Sequence, residues 1–345
     1  LDPLELRLKN AVDAGDMAHT GQVFGAVGLK GVLEAIRDYL KRQGPPGPGR
    51  AWGTACAQWG AGGTSSSAQL KINEDGTAVL YTGAMDTGTG SDTILCQIAA
   101  QELGLELEDM SIVAGDTDAS PYDMASVGSR VTFSMGNAVR LAAADARQQL
   151  LERAAQVLEA SPRDLEAAGR MVRMKGSPER AVSIAELAAA SHVRVGPILG
   201  RGSFVAVAPA YNRDLVQGLT YTSRPGDTFC AQAALVEADP ETGTVRLLGA
   251  VSAHDIGCAI NPQAAEGQVE GCLGFGLGFA LSEEILFEGG RTLNPLLLDY
   301  RLPTAVDMPM VESIFLEEPK SDGPYGAKGL GEPPTIPSGA AIANA

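Results

Sequence analysis

The chain has 345 residues, 45% of them hydrophobic, and a formal net charge of −16 from 26 Lys+Arg against 42 Asp+Glu. That balance excludes a nucleic-acid backbone as partner, because phosphate binding needs clustered lysine and arginine. The 42 glycines follow no collagen-like period and form no low-complexity tract, so they read as tight turns and close backbone approaches in a globular chain.

In chain order, Asp2 caps a first helix with Pro3 in its first turn, and Leu4, Leu8 and Val12 share one face. A second helix covers Gly31–Arg42, and the Pro/Gly run Gly44–Gly49 then breaks the chain, so residues 1–48 read as a helical connecting arm. Ala68–Ile72 and Ala78–Thr82 form a β-hairpin around the turn Asn73–Gly76. Helices follow at Ser91–Leu103, Ser134–Ala160 and Ile184–Ala190, with a short strand at Met110–Val113. Strands are expected at Phe229–Ala238, Thr244–His254 and Val311–Leu316, a helix at Pro262–Ala280, and an extended stretch at Glu283–Phe287. The mixture implies an α+β fold in two halves, residues 49–218 and 219–345. A chain that opens in a helical pattern and stops at Ala345 reads as a segment of something larger.

The five cysteines (Cys56, Cys96, Cys230, Cys258 and Cys272) contain no C-x-x-C pair, and only three histidines occur, His19, His192 and His254. Neither a zinc site nor an iron–sulfur cluster has its usual spacing, and the thiols read as reduced residues of a cytoplasmic protein. No apolar run reaches the roughly 20 residues of a membrane span. The nearest, Ala264–Leu281, is interrupted by Glu266 and Glu270.

Four glycine-bearing segments could carry chemistry. GAMDTGTGSDT (Gly83–Thr93) enters a helix, where free amides favour an anion, but it has neither G-x-G-x-x-G nor a Walker lysine. Gly115–Ala138 offers Ser129 and Arg130 before a helix, a hydroxyl and a guanidinium suited to an oxyanion. Its Asp116, Asp118 and Asp123 lack the spacing of a calcium loop. HDIGCAINPQAAEGQVEGCLGFGLG (His254–Gly278) places Gly267, Gly271, Gly274 and Gly278 on one narrow helical face beside Gln268. GAKGLGEPPTIPSG (Gly326–Gly339) sets a lone carboxylate, Glu332, between glycines and two prolines. Taken singly, each has a plain structural reading: a hairpin-to-helix turn, a capped loop, tight packing, a helix-starting acid. Trp59 reads as a core tryptophan or as an aromatic pocket wall.

Their order along the chain resembles the molybdenum-binding subunit of the xanthine oxidase family, which includes aldehyde oxidoreductases, nicotinate dehydrogenase, 4-hydroxybenzoyl-CoA reductase and aerobic carbon monoxide dehydrogenase. The resemblance runs from DPLELRLKN through GAMDTGTGSDT, GDTDASPYD…GSRVT…GNA, HDIGCAINP and GQVEG to KGLGEPP, as the C-terminal portion of that subunit. It implies two related mixed-sheet and helix halves that bind a molybdenum–molybdopterin cofactor, in its cytosine dinucleotide form in some members. Glu332 would then be the active-site base, Gln268 would hydrogen-bond the pterin–dithiolene unit, and the Gly88-Thr89-Gly90 turn would contact the cofactor. Family members often carry Gln where Thr89 stands, so only the backbone role transfers there. Ser129 and Arg130 would cradle the cofactor's phosphate or dinucleotide tail, and Trp59 would border the substrate.

Molybdenum would be held by the pterin dithiolene rather than by side chains. A base of this kind works in a largely dry pocket, where desolvation lets a carboxylate take a proton near neutral pH. The resemblance further implies an upstream half or subunit, iron–sulfur and flavin (FAD) partner subunits to remove electrons, and a homodimer of the whole assembly. Substrates would be aromatic heterocycles or aldehydes. The alternatives are the reductive aryl-CoA branch, toward which GSRVT leans, and a non-catalytic module. GQVFGAVG (Gly21–Gly28) mimics a cofactor loop of the family but lies outside that loop's place in chain order, and it is assigned no site.

Overall fold

The computed structural model describes residues 2–18, 21, 23–61, 63–206 and 226–345. His19, part of the GQVFGAVG stretch and the junction between the two expected halves lie outside the described residues. In chain order come α1 (Pro3–Asn10), α2 (Leu29–Gln43), β1 (Arg50–Gly60), β2 (Thr64–Ile72), β3 (Ala78–Thr82), α3 (Ser91–Leu103) and β4 (Met110–Ala114). There follow α4 (Gly136–Val157), β5 (Leu165–Ala168), β6 (Met171–Met174), β7 (Ser177–Ser183), α5 (Ile184–Arg194) and β8 (Ile198–Ala206). The remainder is β9 (Asp227–Ala238), β10 (Val245–Asp255), α6 (Pro262–Leu281), β11 (Phe287–Glu288), β12 (Arg291–Thr292), β13 (Met310–Leu316) and α7 (Thr335–Asn344). The α+β class is as expected.

Two compact units form, each from separate stretches of chain. The first comprises Leu1–Ala61, Pro209–Ser321 and Lys328–Ala345; the second comprises Gly62–Ala208 and Asp322–Ala327.

In the first unit, a sheet in the order β1-β9-β10-β13 carries helices on both faces. Helix α1 starts where Asp2 accepts from the N–H groups of Leu4 and Glu5. Leu4, Val32, Leu33 and Ile36 of α1 and α2 bury against Phe229, Ala231, Ala233, Val251 and Ala253. The opposite face packs Leu273 and Leu277 of α6, with Ala341 and Ile342 of α7, on Ala55, Ala234, Val236 and Ala250. Glycine permits that second layer. A Cβ at Gly53 would strike the Ala341 carbonyl, and one at Gly276 would strike Ser338. Strand β1 is absent from the sequence-based expectation because the side chains it sends under α7 are Gly and Ala, which carry no β-branched signal.

The second unit is a sheet in the order β4-β3-β2-β8 beside a meander β5-β6-β7. The expected hairpin pairs Ala68 with Thr82 and turns at Gly76, where φ is +86°. Strand β8 also escaped sequence reading, for a parallel reason: Gly200 and Gly202 lie against the Ala142 and Ala138 carbonyls of α4. The long helix begins as a π turn, Val131–Met135, before its regular part. Among the described residues, no helix is long and apolar enough to cross a membrane.

Gly276→Val should lower stability by about 1–3 kcal/mol through overpacking of α6 on α7. Gly267→Ala faces open space and should be neutral or stabilising by up to about 1 kcal/mol from helix propensity. Urea midpoints at unchanged m-value measure both.

Candidate functional site

Glu332 sits on a six-residue path, Gly329–Pro334, between two fixed points of the first unit. Its entry is Lys328, whose side chain is fully buried and lies 2.6 Å from the equally buried Asp255 carboxylate at the end of β10. The Lys328 N–H donates to the Ile256 carbonyl at 2.8 Å, and its ammonium donates to the Ala26 carbonyl at 3.1 Å. The other Asp255 oxygen accepts from the Gly28 N–H at 2.8 Å. Gly28 cannot be larger, since a Cβ there would overlap the Asp255 carboxylate. The GQVFGAVG stretch, assigned no site, thus ends in a contact that supports the Glu332 loop. Burial pushes the Asp255 pKa up and the Lys328 pKa down, while their mutual attraction opposes both shifts.

Along the path, carbonyls accept from side chains. Thr228 Oγ1 donates to Gly329 at 3.0 Å and Cys272 Sγ to Gly331 at 3.4 Å. Cys230 Sγ donates to Pro333 at 3.3 Å and Gln232 Nε2 to Pro334 at 2.7 Å. The exit is α7, where the Thr335 N–H donates to the Glu332 carbonyl at 3.1 Å. The Glu332 side chain itself is exposed. The dry pocket that the resemblance asks for is therefore not built around it by this chain's described residues.

Trp59 pairs in register with Thr228, so it occupies the same face of the sheet as the residues that hold the loop. Gln268 is half-buried on α6, and Gly267 and Gly271 beside it have open space where a Cβ would stand. The narrow packing face expected of this helix is tight only in part: a Cβ at Gly278 would strike Glu283 and Pro303, whereas Gly267 and Gly271 are open. Its tight contact on α7 is Gly276, outside the expected Gly267–Gly271–Gly274–Gly278 stripe.

In the second unit, the Gly88-Thr89-Gly90 turn and the Ser129 loop are tied together. Ser126 Oγ accepts from the Met85 N–H at 2.9 Å and donates to the Met85 carbonyl at 2.6 Å. The amides of Gly88, Thr89 and Gly90 point inward to Asp86 Oδ1 at 2.8, 2.9 and 3.3 Å, and these bonds help to hold the Asp86 carboxylate ionised. What this turn offers a ligand is close approach: Gly88 has φ of +96° and nothing within 4 Å of a Cβ position.

Arg130 is 1% exposed. Its guanidinium spans Asp123 at 2.8 and 3.0 Å, the carbonyls of Gly63, Ala125 and Ser65, and Ser66 Oγ at 2.6 Å. Those contacts engage all the N–H donors a guanidinium has. Ser129, half-buried with φ of +55°, is held at the apex of the loop so formed. Asp116 caps its own turn at Asp118 and Ala119, so these aspartates serve loop geometry. Among the described residues, no group of three or more His, Cys, Asp or Glu could hold a metal. Within the first unit, the open positions at Gly267 and Gly271, with the Gln268 amide beside them, fit a flat cofactor edge held by shape and hydrogen bonds.

Arg130→Met leaves a buried Asp123 without its partner and should cost about 3–5 kcal/mol in denaturant unfolding. A second expectation concerns His254, which is fully buried, shares a 2.6 Å hydrogen bond with Ser252, and is held down to about 3 by desolvation. Between about pH 6.5 and 3 the unfolded chain binds a proton there and the folded chain does not, so stability falls on acidification by about 1.4 kcal/mol per pH unit from this group. His254→Gln should flatten the stability–pH curve in that window relative to wild type.

A family model described as a molybdopterin cofactor-binding domain matches residues 32–309. The chain is 34% identical over 365 aligned residues to the xanthine dehydrogenase molybdenum-binding subunit of Escherichia coli O157:H7, covering 100% of this chain and 46% of that protein. It is 33% identical over 273 residues to the carbon monoxide dehydrogenase large chain of Afipia carboxidovorans, covering 78% of this chain and 32% of that one. The crystal structure of quinoline 2-oxidoreductase from Pseudomonas putida 86 superposes with a TM-score of 0.84 at 25% identity, over 100% of this chain and 46% of that chain. The chain thus spans under half the length of these relatives. The family model covers most of the chain, which therefore belongs to the molybdopterin cofactor-binding domain family.

Proposed function

We propose that this chain is the Glu332-bearing portion of a molybdenum hydroxylase that oxidises an aromatic heterocycle or an aldehyde, with Glu332 as its base. One observation carries the reading: Glu332 is an exposed residue on a backbone path whose carbonyls are tied down on both sides of it. A surface turn with a helix-starting acid needs no such scaffold. A base that must meet one atom of a substrate does, because misplacement by about 1 Å costs on the order of 10²-fold in rate.

Gln268 would hold the pterin edge through its amide. Gly88, Thr89 and Gly90 would let the cofactor approach the backbone, and Ser129 would meet its phosphate or cytosine dinucleotide tail while Arg130 keeps that loop in shape. Trp59 would border the substrate. Bound there, the molybdenum cofactor supplies the two-electron redox chemistry. Glu332 takes up, at a carboxylate oxygen, the proton that the hydroxylation releases.

Water exclusion around Glu332 falls to the substrate and to further polypeptide. The first unit supports that division, since Phe279, Leu298, Val306 and Met310 are 86%, 89%, 93% and 88% exposed. Large apolar side chains left so exposed are ones that further polypeptide would cover. The occupants we assign to the assembly are an upstream molybdenum-domain half, iron–sulfur and FAD-bearing subunits, and a second copy of the whole, in the cytoplasm.

In the assembled enzyme, Glu332→Gln should reduce kcat by about 10²–10⁴-fold with the thermal unfolding midpoint and molybdenum content unchanged. Steady-state rates beside metal analysis measure this. An assembled complex without molybdenum, in cells competent for cofactor synthesis, would leave a non-catalytic module instead.

A further inference from the structure

We propose that Gln232, in the middle of β9, is a positioning residue for Glu332, acting through the Pro334 carbonyl; this rests on the reading of Glu332 as the base. Alternate residues of a strand share one face, and on β9 Thr228, Cys230 and Gln232 all turn toward the loop. Each donates to a different carbonyl: Gly329, Pro333 and Pro334 respectively. The strand thereby acts as a rack along which the loop is indexed.

Gln232 is the amide that reaches the loop from the sheet downstream of Glu332. Pro333 and Pro334 have no N–H, so the backbone handles of this segment are its carbonyls, and both prolines are buried away from water. Cys230 supplies one donor, but a thiol is a weak one, and burial raises its pKa to about 12, so it stays protonated and does not strengthen. Gln232 supplies an amide at 2.7 Å and is only 2% exposed.

Its orientation is determined by its neighbours. The Pro334 carbonyl can only accept, so the amide end 2.7 Å from it is the NH₂, and the other end, Oε1, accepts from the Ser338 hydroxyl at 2.8 Å. Because φ is locked in both prolines, fewer backbone rotations lie between Pro334 and Glu332 to absorb a shift at Pro334.

The experiment compares wild type, Gln232→Met, Gln232→Glu and Glu332→Gln in the assembled, molybdenum-loaded enzyme. Gln232→Met keeps the volume and removes the donor. We expect a kcat drop of about 10- to 100-fold with KM within a factor of about two. Amide exchange at Gly331, Glu332 and Thr335 should quicken by about tenfold while exchange in β9 and β10 stays as in wild type.

Gln232→Glu offers a donor only when protonated. Its kcat relative to wild type should therefore rise as pH falls, a recovery that a merely structural residue would not show. Wild-type kcat and loop exchange in Gln232→Met, with Glu332→Gln inactive, overturns the positioning role alone. Full activity in Glu332→Gln overturns the base reading and this inference with it. If Gln232→Met fails to fold, a flat pH ratio in Gln232→Glu overturns the proposal.

Discussion

A lysine and an aspartate with no solvent-exposed side-chain surface, Lys328 and Asp255, join three stretches of chain that are far apart in sequence. Asp255 ends β10, Lys328 begins the loop that leads to Glu332, and both bond to the Ala26–Gly28 backbone between α1 and α2. Taking two charges out of water is costly, and the pair holds only because each charge has further hydrogen bonds beyond its partner. Removal of either member would leave an uncompensated charge where the sheet, the connecting arm and the Glu332 loop meet. The arm is part of the first unit's core for the same reason: Leu33 and Ile36 cover the sheet face on which Asp255 stands.

From that fixed entry, the loop needs no regular structure of its own. Glycines let it run close over the strand, prolines limit its freedom, and side-chain donors replace the ladder partners it lacks. The first unit in this way presents an exposed residue, Glu332, on a backbone held at several carbonyls. The second unit handles its expected ligand segments with the same economy of means. Asp86 gathers the amides of the Gly88 turn, and Asp123 with Arg130 shapes the loop that carries Ser129. In both loops a buried or half-buried carboxylate organises backbone, leaving the approach to the turn open at Gly88.

Much of the local structure was legible in the sequence. The hairpin at Ala68–Thr82, the helix Ser91–Leu103 and the strands around Phe229 and Thr244 carry patterns whose meaning is settled within about ten residues, by side-chain period and turn chemistry. Strands β1 and β8 were not legible, because each sends glycine or alanine toward a helix that approaches too closely for a larger side chain. The compositional mark of a strand was removed by the packing that makes the strand necessary. The stripe of glycines on α6 was legible as close approach, but the glycine that meets α7, Gly276, lies outside it, because that contact depends on where α7 lies.

By itself, the sequence determined the family, the α+β class and the segments that could bear chemistry, since all of these are written in residue type and order. The tertiary structure alone decided what each segment's polar groups touch. Arg130 looked available for a phosphate and is occupied by Asp123 and four other oxygens; Glu332 looked like a buried base and stands exposed on an immobilised path; Gln232, unremarked in sequence, donates to the carbonyl two residues past that base. The physical reason is the same in each case. Hydrogen bonds between residues distant in sequence, as from Gln232 to Pro334 and from Arg130 to Ser65 and Ser66, depend on register and packing, and no local pattern encodes them.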